Sequence, residues 1–225
     1  MAAYDLEEQE QIAEIKAWWK QYGNRLVNVA MVAALVALGW QGWNWYQRNQ
    51  AAQASAIYGA LQQAVQEKDT QRIKAASGEL LEKFSASPYA TLGALASAKA
   101  MVEAGDAQTA KAQLLWASEN AKDELRDLAR LRAAAVLLDD KAYEQALAQL
   151  EGASSPAFGV RFPDMRGDIL AAQGKKADAA SAYQTALTRL DELESGSGGL
   201  EWQDETNAVF RALIEQKIDA LGGGR

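Results

Sequence analysis

The 225-residue sequence contains no cysteine, no histidine and only three prolines. Without cysteine no disulfide can cross-link the fold, and no stray thiol can mispair in an oxidising compartment. Without histidine the chain lacks the commonest metal ligand and the usual general base of catalysis. From Ala51 onward the chain is rich in Ala, Gln, Leu, Lys and Glu and has no β-branched runs. This composition predicts an all-α domain.

Charged residues are missing from one long stretch, Leu26–Gln47. As a helix rising about 1.5 Å per residue, this stretch would reach roughly 33 Å, which matches the hydrocarbon thickness of a bilayer. Trp40, Trp43, Trp45 and Tyr46 lie near its C-terminal end. Such amphipathic rings prefer the headgroup layer of a membrane. We therefore predict a single transmembrane helix at residues 26–47.

A cleaved signal peptide and a buried core helix are the alternative interpretations of this stretch. Ala54-Ser55-Ala56 has the small-x-small pattern that signal peptidase reads, but the bulky segment 40–53 separates it from the apolar run. The leader is also long and acidic, which disfavours a signal peptide and a transit peptide alike. A buried helix needs neither so long an uncharged run nor so many aromatic residues at one end.

The basic residues on the two sides of the span predict its orientation. Lys16, Lys20 and Arg25 precede it, whereas Arg48 alone follows it closely. Because basic flanks stay in the cytoplasm, we expect the tail 1–25 to be cytoplasmic and the rest of the chain to lie across the membrane. The tail itself has an amphipathic helical pattern, and it could serve either as an interfacial anchor or as a partner-binding element.

The remaining chain contains a repeated pattern with a period near 34 residues. Alanines recur at intervals of 34, 36 and 33 residues at Ala76, Ala110, Ala146 and Ala179. A large residue follows each of them by four positions at Leu80, Leu114, Leu150 and Tyr183. A small residue precedes each by twelve positions at Ala64, Ala98, Ala134 and Gly167. The predicted turn positions, five residues before each alanine, are Gln71, Gly105, Lys141 and Gly174.

These offsets indicate pairs of closely crossing helices separated by a tight turn, as in tetratricopeptide repeats. We predict about four helix pairs at residues 51–195, forming an α-solenoid. A longer connection at 152–163 is expected to fold its phenylalanines over the adjacent helices. A flexible break is predicted at 195–199. An apolar-faced helix at 200–221 is predicted to cap the end of the repeats.

In such repeats the first helices of successive units form a concave wall that suits a peptide or a helix of another protein. From their spacing relative to the recurring alanines, we predict that nine residues face this groove: Tyr58, Leu61, Leu95, Lys99, Leu131, Ala135, Arg161, Asp164 and Asp168.

Several functional classes receive no support from the sequence. The formal net charge of −7 makes the chain a poor partner for the phosphate backbone of nucleic acid. The acidic residues are scattered along repeat helices, and the glycine clusters are not followed by the Lys-Ser/Thr of a phosphate-binding loop. We therefore expect a non-catalytic protein without a cofactor, a metal site or a small-molecule substrate. A lytic or transferase activity would require an active-site acid, and the sequence nominates none.

Several features together resemble one bacterial family. They are the N-terminal span, the four repeats, the junction Ser87-Pro88-Tyr89-Ala90, and the segments Arg166-Gly167-Asp168-Ile169, Gln173-Gly174 and Ala182-Tyr183-Gln184-Thr185-Ala186-Leu187. In these features the chain is similar to the ancillary subunits of the SecYEG translocon. The resemblance implies an inner-membrane protein whose periplasmic repeats cooperate with the translocon and with periplasmic chaperones during secretion. The alternative is an envelope assembly or cell-division scaffold that also carries periplasmic repeats.

Overall fold

A computed structural model of the chain divides into two compact units, Met1–Gln53 and Ala54–Arg225. The structure describes residues 2–152, 154–196 and 201–222, and the side chains of 11–152, 154–195 and 206–222. Within these residues every regular element is a helix, which confirms the all-α prediction.

The first unit consists of the greater part of one helix, α1, which spans Ala2–Gln66. Among the described residues, the part Gln11–Gln66 is the one helix that is long and apolar enough to cross a membrane. Its large apolar side chains are exposed, as Leu35 (63%) and Trp40 (69%) illustrate. Because such side chains are stable in lipid rather than in water, this exposure fits a bilayer environment. The limits 1–25 and 26–47 coincide with no helix boundary and stay predictions.

The second unit contains the end of α1 and eight further helices within the described residues. They are α2 (Thr70–Lys83), α3 (Pro88–Glu103), α4 (Ala107–Asn120), α5 (Asp123–Asp139), α6 (Tyr143–Gln149), α7 (Arg161–Ala172), α8 (Lys176–Gly196) and α9 (Glu201–Ala220), with a 3-10 turn at Pro156–Phe158. From α2 onward each helix contacts the next, and α5 also contacts α7. The order gives four helix pairs followed by α9, which is a tetratricopeptide-like arrangement.

A three-residue turn joins the two helices of each pair, and its central residue has a left-handed backbone. These residues are Lys68 (φ 55°), Gly105 (φ 79°), Lys141 (φ 59°) and Gly174 (φ 76°). The prediction of Gln71 as the first turn is wrong, because Gln71 lies inside α2. The side chain of Asp69 accepts hydrogen bonds from the backbone N–H groups of Gln71 and Arg72 and so starts α2 three residues early.

The observed turns change which residues of the first helix pair are equivalent to those of the other three pairs. Seven residues before each left-handed residue stand Leu61, Ala98, Ala134 and Gly167, and nine residues after it stand Ser77, Leu114, Leu150 and Tyr183. All eight are buried. The two residues of each pair are complementary in size. Gly167, the smallest of the first set, is paired with Tyr183, the largest of the second, whereas the large Leu61 is paired with the small Ser77. The predicted first copy, with Ala64 and Ala76, is therefore displaced by three positions.

The connection between the third and fourth pairs is held against α5. The Nε of Arg130 donates to the backbone carbonyl that ends α6 at 2.7 Å, and Asp127 accepts from the backbone N–H of Ser155 at 2.7 Å. Phe162 is buried, and Phe158 meets it edge to face with ring centroids 6.3 Å apart. Both rings pack on the core that the third pair forms, as expected, but the predicted connection 152–163 extends too far, because Phe162 already lies in α7, which begins at Arg161.

The last helix packs on the fourth pair through an apolar face. Ile214 is fully buried, and Phe210 and Ile218 pack on the cluster that contains Tyr183. The predicted break at 195–199 begins inside α8, and residues 197–200 lie outside the described part of the chain. The same holds for the side chain of Trp202, which the sequence pattern assigns to this apolar face.

Candidate protein-binding surface

Two of the predicted groove residues lie in the core. Leu61 is fully buried and Leu95 is 5% exposed, so neither side chain can contact a partner in this structure. Leu61 stands seven residues before the left-handed residue of its turn, and its Cδ2 lies 3.4 Å from where a Cβ atom on Gly93 of α3 would be. Leu95 lies three residues before Ala98 and therefore on the same buried side of α3.

Tyr58 and Leu131 are half-buried. The ring of Tyr58 contacts the ring of Tyr89 with centroids 5.7 Å apart, and Leu131 packs on the core of the third pair. Both side chains fill space between helices more than they present a surface.

The three predicted residues on α7 are in contact with α9. Lys217 donates hydrogen bonds to the carboxylates of Asp164 and Asp168 at 2.7 and 2.9 Å. The guanidinium of Arg161 lies 4.4 Å from the centroid of the Phe210 ring. The last helix of the chain therefore occupies this strip of α7.

The charges at this contact perturb one another. Burial raises the pKa of Asp164, and the ammonium of Lys217 opposes that rise. Burial lowers the pKa of Lys217, but its hydrogen bonds to Asp164 and Asp168 outweigh burial, so the pKa stands above its ordinary value. The hydroxyl of Tyr183 donates a hydrogen bond to Asp168 at 2.7 Å. Burial, and to a smaller extent this hydrogen bond, raises the pKa of Tyr183. The cluster joins α7, α8 and α9 and leaves little capacity for a ligand.

Lys99 and Ala135, the remaining two predicted residues, line one shallow depression of about 410 Å³. Its walls are Ala98, Lys99, Val102 and Glu103 of α3 and Arg132, Ala135, Val136 and Asp139 of α5, with Leu114 of α4 also lining it. We name this depression the α3–α5 groove. Val102 is 52% exposed, and the sequence reasoning missed it. The available signal was its spacing, because Val102 lies one helical turn after Lys99.

The chemistry of the α3–α5 groove suits a polypeptide. Its lining combines aliphatic side chains, Val102, Leu114 and Val136, with charged ones, Lys99, Glu103, Arg132 and Asp139. Such surfaces accept an apolar side chain of a partner while the rim contacts flanking charged groups. Among the described side chains no three acidic, histidine or cysteine groups converge where they could hold a metal ion.

Comparison with known proteins places this fold in a family. A tetratricopeptide repeat-like domain family matches residues 16–223. A relative from Haemophilus influenzae is 32% identical over 193 residues, which cover 85% of this chain and 94% of the relative. A relative from Neisseria gonorrhoeae is 31% identical, and the match covers 98% of this chain and 100% of the relative. A relative from Escherichia coli is 30% identical, and the match covers 80% of this chain and 87% of the relative. All three are named ancillary SecYEG translocon subunit. The chain, with its apolar N-terminal helix and tetratricopeptide-like repeats, belongs to the family of ancillary SecYEG translocon subunits.

Proposed function

We propose that the chain is a membrane-anchored, non-catalytic scaffold that associates with the SecYEG translocon and binds a protein partner in the α3–α5 groove. The observation that carries this proposal is Val102, an apolar side chain that is more than half exposed between two first helices. The names of the relatives support the translocon as the assembly in which it works. Those names denote a subunit rather than an enzyme.

The proposal also places the repeats in the periplasm, where they link the translocon to chaperones during the folding of exported proteins. Three basic residues before the apolar stretch and one closely after it support a cytoplasmic N-terminus. The part that concerns chaperones rests on the family resemblance. In this proposal the bilayer holds the chain through α1.

The orientation predicts a protease result. Protease added to intact spheroplasts is expected to degrade the second unit, because it would face the outside once the outer membrane is removed. Immunoblotting with an antibody against α8 measures the loss, and a cytoplasmic protein in the same sample must survive as the control. Full survival of the second unit until lysis would contradict the proposed orientation.

The groove predicts a site-specific cross-link. A photo-reactive residue at position 102, introduced into the full chain in living cells, is expected to form an adduct with a translocon subunit or a periplasmic chaperone. Position 112 is the matched control, because Ala112 is also exposed but lies on α4 outside the groove. Antibodies against the translocon subunits and the chaperones identify the adducts, and we expect at least several times more product from 102 than from 112.

Two outcomes would count against the proposal. Equal yields from positions 102 and 112 would mean that the groove does not select the partner. An adduct exclusively with a cell-division or outer-membrane assembly protein would favour the alternative scaffold function.

A further inference from the structure

The α3–α5 groove carries opposite charges at its two ends. Glu103 and Asp139 are the last residues of α3 and α5, and each stands two residues before the left-handed residue of its turn. Lys99 and Arg132 precede them by four and seven residues. Because α3 and α5 are first helices of successive pairs, they run in the same direction. The two basic residues therefore share one end of the groove and the two acidic residues share the other.

The helix termini strengthen the negative end. The C-terminus of a helix carries a partial negative charge, which a basic residue in the last turn commonly offsets. At the ends of α3 and α5 the backbone N–H groups of the turn pair with three of the last four carbonyl groups, so the acidic side chains supply most of the negative charge. Neither α3 nor α5 has a basic residue in its last turn. Each helix instead ends in an acidic residue, Glu103 or Asp139. A cationic side chain of a partner would be stabilised at this end.

These charges remain available to a partner. Arg132 and Asp139 have no hydrogen-bond or ion-pair partner among the side chains that the structure describes. Lys99 and Glu103 approach each other at 3.9 Å, but their side chains are 73% and 64% exposed. An ion pair that exposed contributes little to stability and is easily exchanged for a contact with another chain.

The backbone positions of the basic and acidic residues are separated by the length of a short peptide contact, since four and seven residues along a helix correspond to about 6 and 10 Å. The ammonium of Lys99 and the carboxylate of Glu103 themselves approach to 3.9 Å, so a partner would have to exchange this exposed contact for its own. The aliphatic side chains of Val102 and Val136 line the groove with them. An apolar side chain of a partner helix could lie there while residues one turn away on either side reach the two charged ends.

We propose that the α3–α5 groove selects a segment of a protein partner in which an apolar side chain stands between an acidic and a basic side chain. The acidic side chain lies beside Lys99 and Arg132, and the basic side chain lies beside Glu103 and Asp139. This inference deepens the proposed function and rests on it, because it assumes that the groove binds protein. It excludes uniformly basic and uniformly acidic segments as preferred occupants.

Three fluorescent helical peptides test the inference on the full chain in lipid nanodiscs. All contain a central leucine, flanked one turn away on each side by Glu and Lys, by two Lys, or by two Glu. Fluorescence anisotropy at low salt should show that the mixed-charge peptide binds about five-fold more tightly than either of the others, and high salt should reduce this preference.

Two charge-reversal variants should redirect the preference. Lys99→Glu with Arg132→Glu leaves both ends acidic and should favour the doubly basic peptide, whereas Glu103→Lys with Asp139→Lys should favour the doubly acidic one. The control is Lys175→Glu with Lys176→Glu, which changes the net charge as much as the first variant at exposed positions where α8 begins and should leave the preference unchanged. A new preference in a variant also shows that it has folded.

Equal binding of the three peptides, no binding of any, or a preference that the control variant shifts as much as the groove variants would overturn the inference. Its failure can be distinguished from failure of the proposed function. If position 102 still cross-links to the translocon or to a chaperone while the peptides show no charge preference, the groove binds protein by another rule. If the cross-link is absent, the proposed function itself fails.

Discussion

Replacing Gly167 with alanine is expected to lower the free energy of unfolding of the second unit by about 3 kcal/mol. A Cβ atom at this position of α7 would lie 2.3 Å from the Cε1 and 2.4 Å from the Cδ1 of Tyr183. The ring cannot move aside easily, because it is 3% exposed and its hydroxyl is bonded to Asp168. Helix propensity alone would favour alanine by about 1 kcal/mol, so the expected sign depends on the tertiary contact.

Two further variants isolate this contact. Gly78 also lies inside a helix, α2, but a Cβ atom added there would have no neighbour within 4 Å, so Gly78→Ala should raise the stability by about 0.5–1 kcal/mol. Gly167→Ala combined with Tyr183→Leu recreates the Ala and Leu pair of the second and third helix pairs, and it should recover part of the loss. Urea denaturation of the full chain in detergent, followed by circular dichroism, measures all three. A Gly167→Ala variant as stable as Gly78→Ala would show that the ring has room to move.

Lys217→Met is expected to destabilise the packing of α9 by about 2–3 kcal/mol, somewhat less than the loss for a fully buried ion pair. The substitution keeps the aliphatic part of the side chain but removes the ammonium that lies between Asp164 and Asp168. Asp164 is 8% exposed, so its carboxylate would stay buried without a cation. Hydrogen exchange of the α9 amides should accelerate more than exchange in α3, which reports on a distant pair.

The pH dependence of this loss follows from the two pKa shifts. The pKa of Lys217 is raised, so its stabilisation is complete below its ordinary value of 10.5 and disappears as the pH rises through the higher value in the folded chain. In the variant the buried Asp164 favours the protonated form, so its penalty falls as the pH is lowered through its raised pKa. The difference between wild type and variant should therefore be largest near neutral pH and shrink in acid and in strong alkali.

A surface ion pair provides the control for Lys217. Lys74 pairs with Asp106 but its side chain is 43% exposed, so Lys74→Met should cost far less than Lys217→Met. Asp164→Asn in the Lys217→Met background should recover stability, because it removes the unpaired charge. Equal losses for the two lysine variants would mean that the contact between α7 and α9 has no special role.

The sequence predicted the repeat positions correctly in the second, third and fourth pairs and wrongly in the first. The left-handed residues of the three correct pairs are Gly105, Lys141 and Gly174, so a correct count did not require a glycine. The first pair, whose left-handed residue is Lys68, was displaced by three residues because Leu61 and Ser77 reverse the small and large residues of the other pairs. The cost of such a conformation is small enough, about 1–2 kcal/mol, for packing to impose it on a lysine. Composition cannot reveal it.

The predicted groove residues also show that sequence periodicity locates positions on a helix but does not determine which of them packing buries. Lys99 and Ala135 line a groove, whereas Leu61 and Leu95 are buried and the carboxylates of Asp164 and Asp168 are paired with Lys217 of α9. Each first helix contacts more than one neighbour, so a narrow strip of it remains accessible. An error of one or two residues in the count turns a residue by about 100–200° around the helix axis and so moves it from that strip into the core.

By itself the sequence determined that the chain is helical, that it carries one charge-free stretch of bilayer length, and that its repeats belong to the tetratricopeptide type. These properties follow from local composition and from the recurrence of residue types at intervals near 34 residues, both of which can be found along the sequence alone. Only the tertiary structure decided that α9 occupies the face of α7, that Gly167 and Tyr183 are matched in size, and that α3 and α5 leave Val102 exposed. Those features depend on how side chains of different helices meet through packing. The repeat pattern marks Gly167 and Tyr183 as equivalent to positions in the other pairs, but it does not give the distance between them.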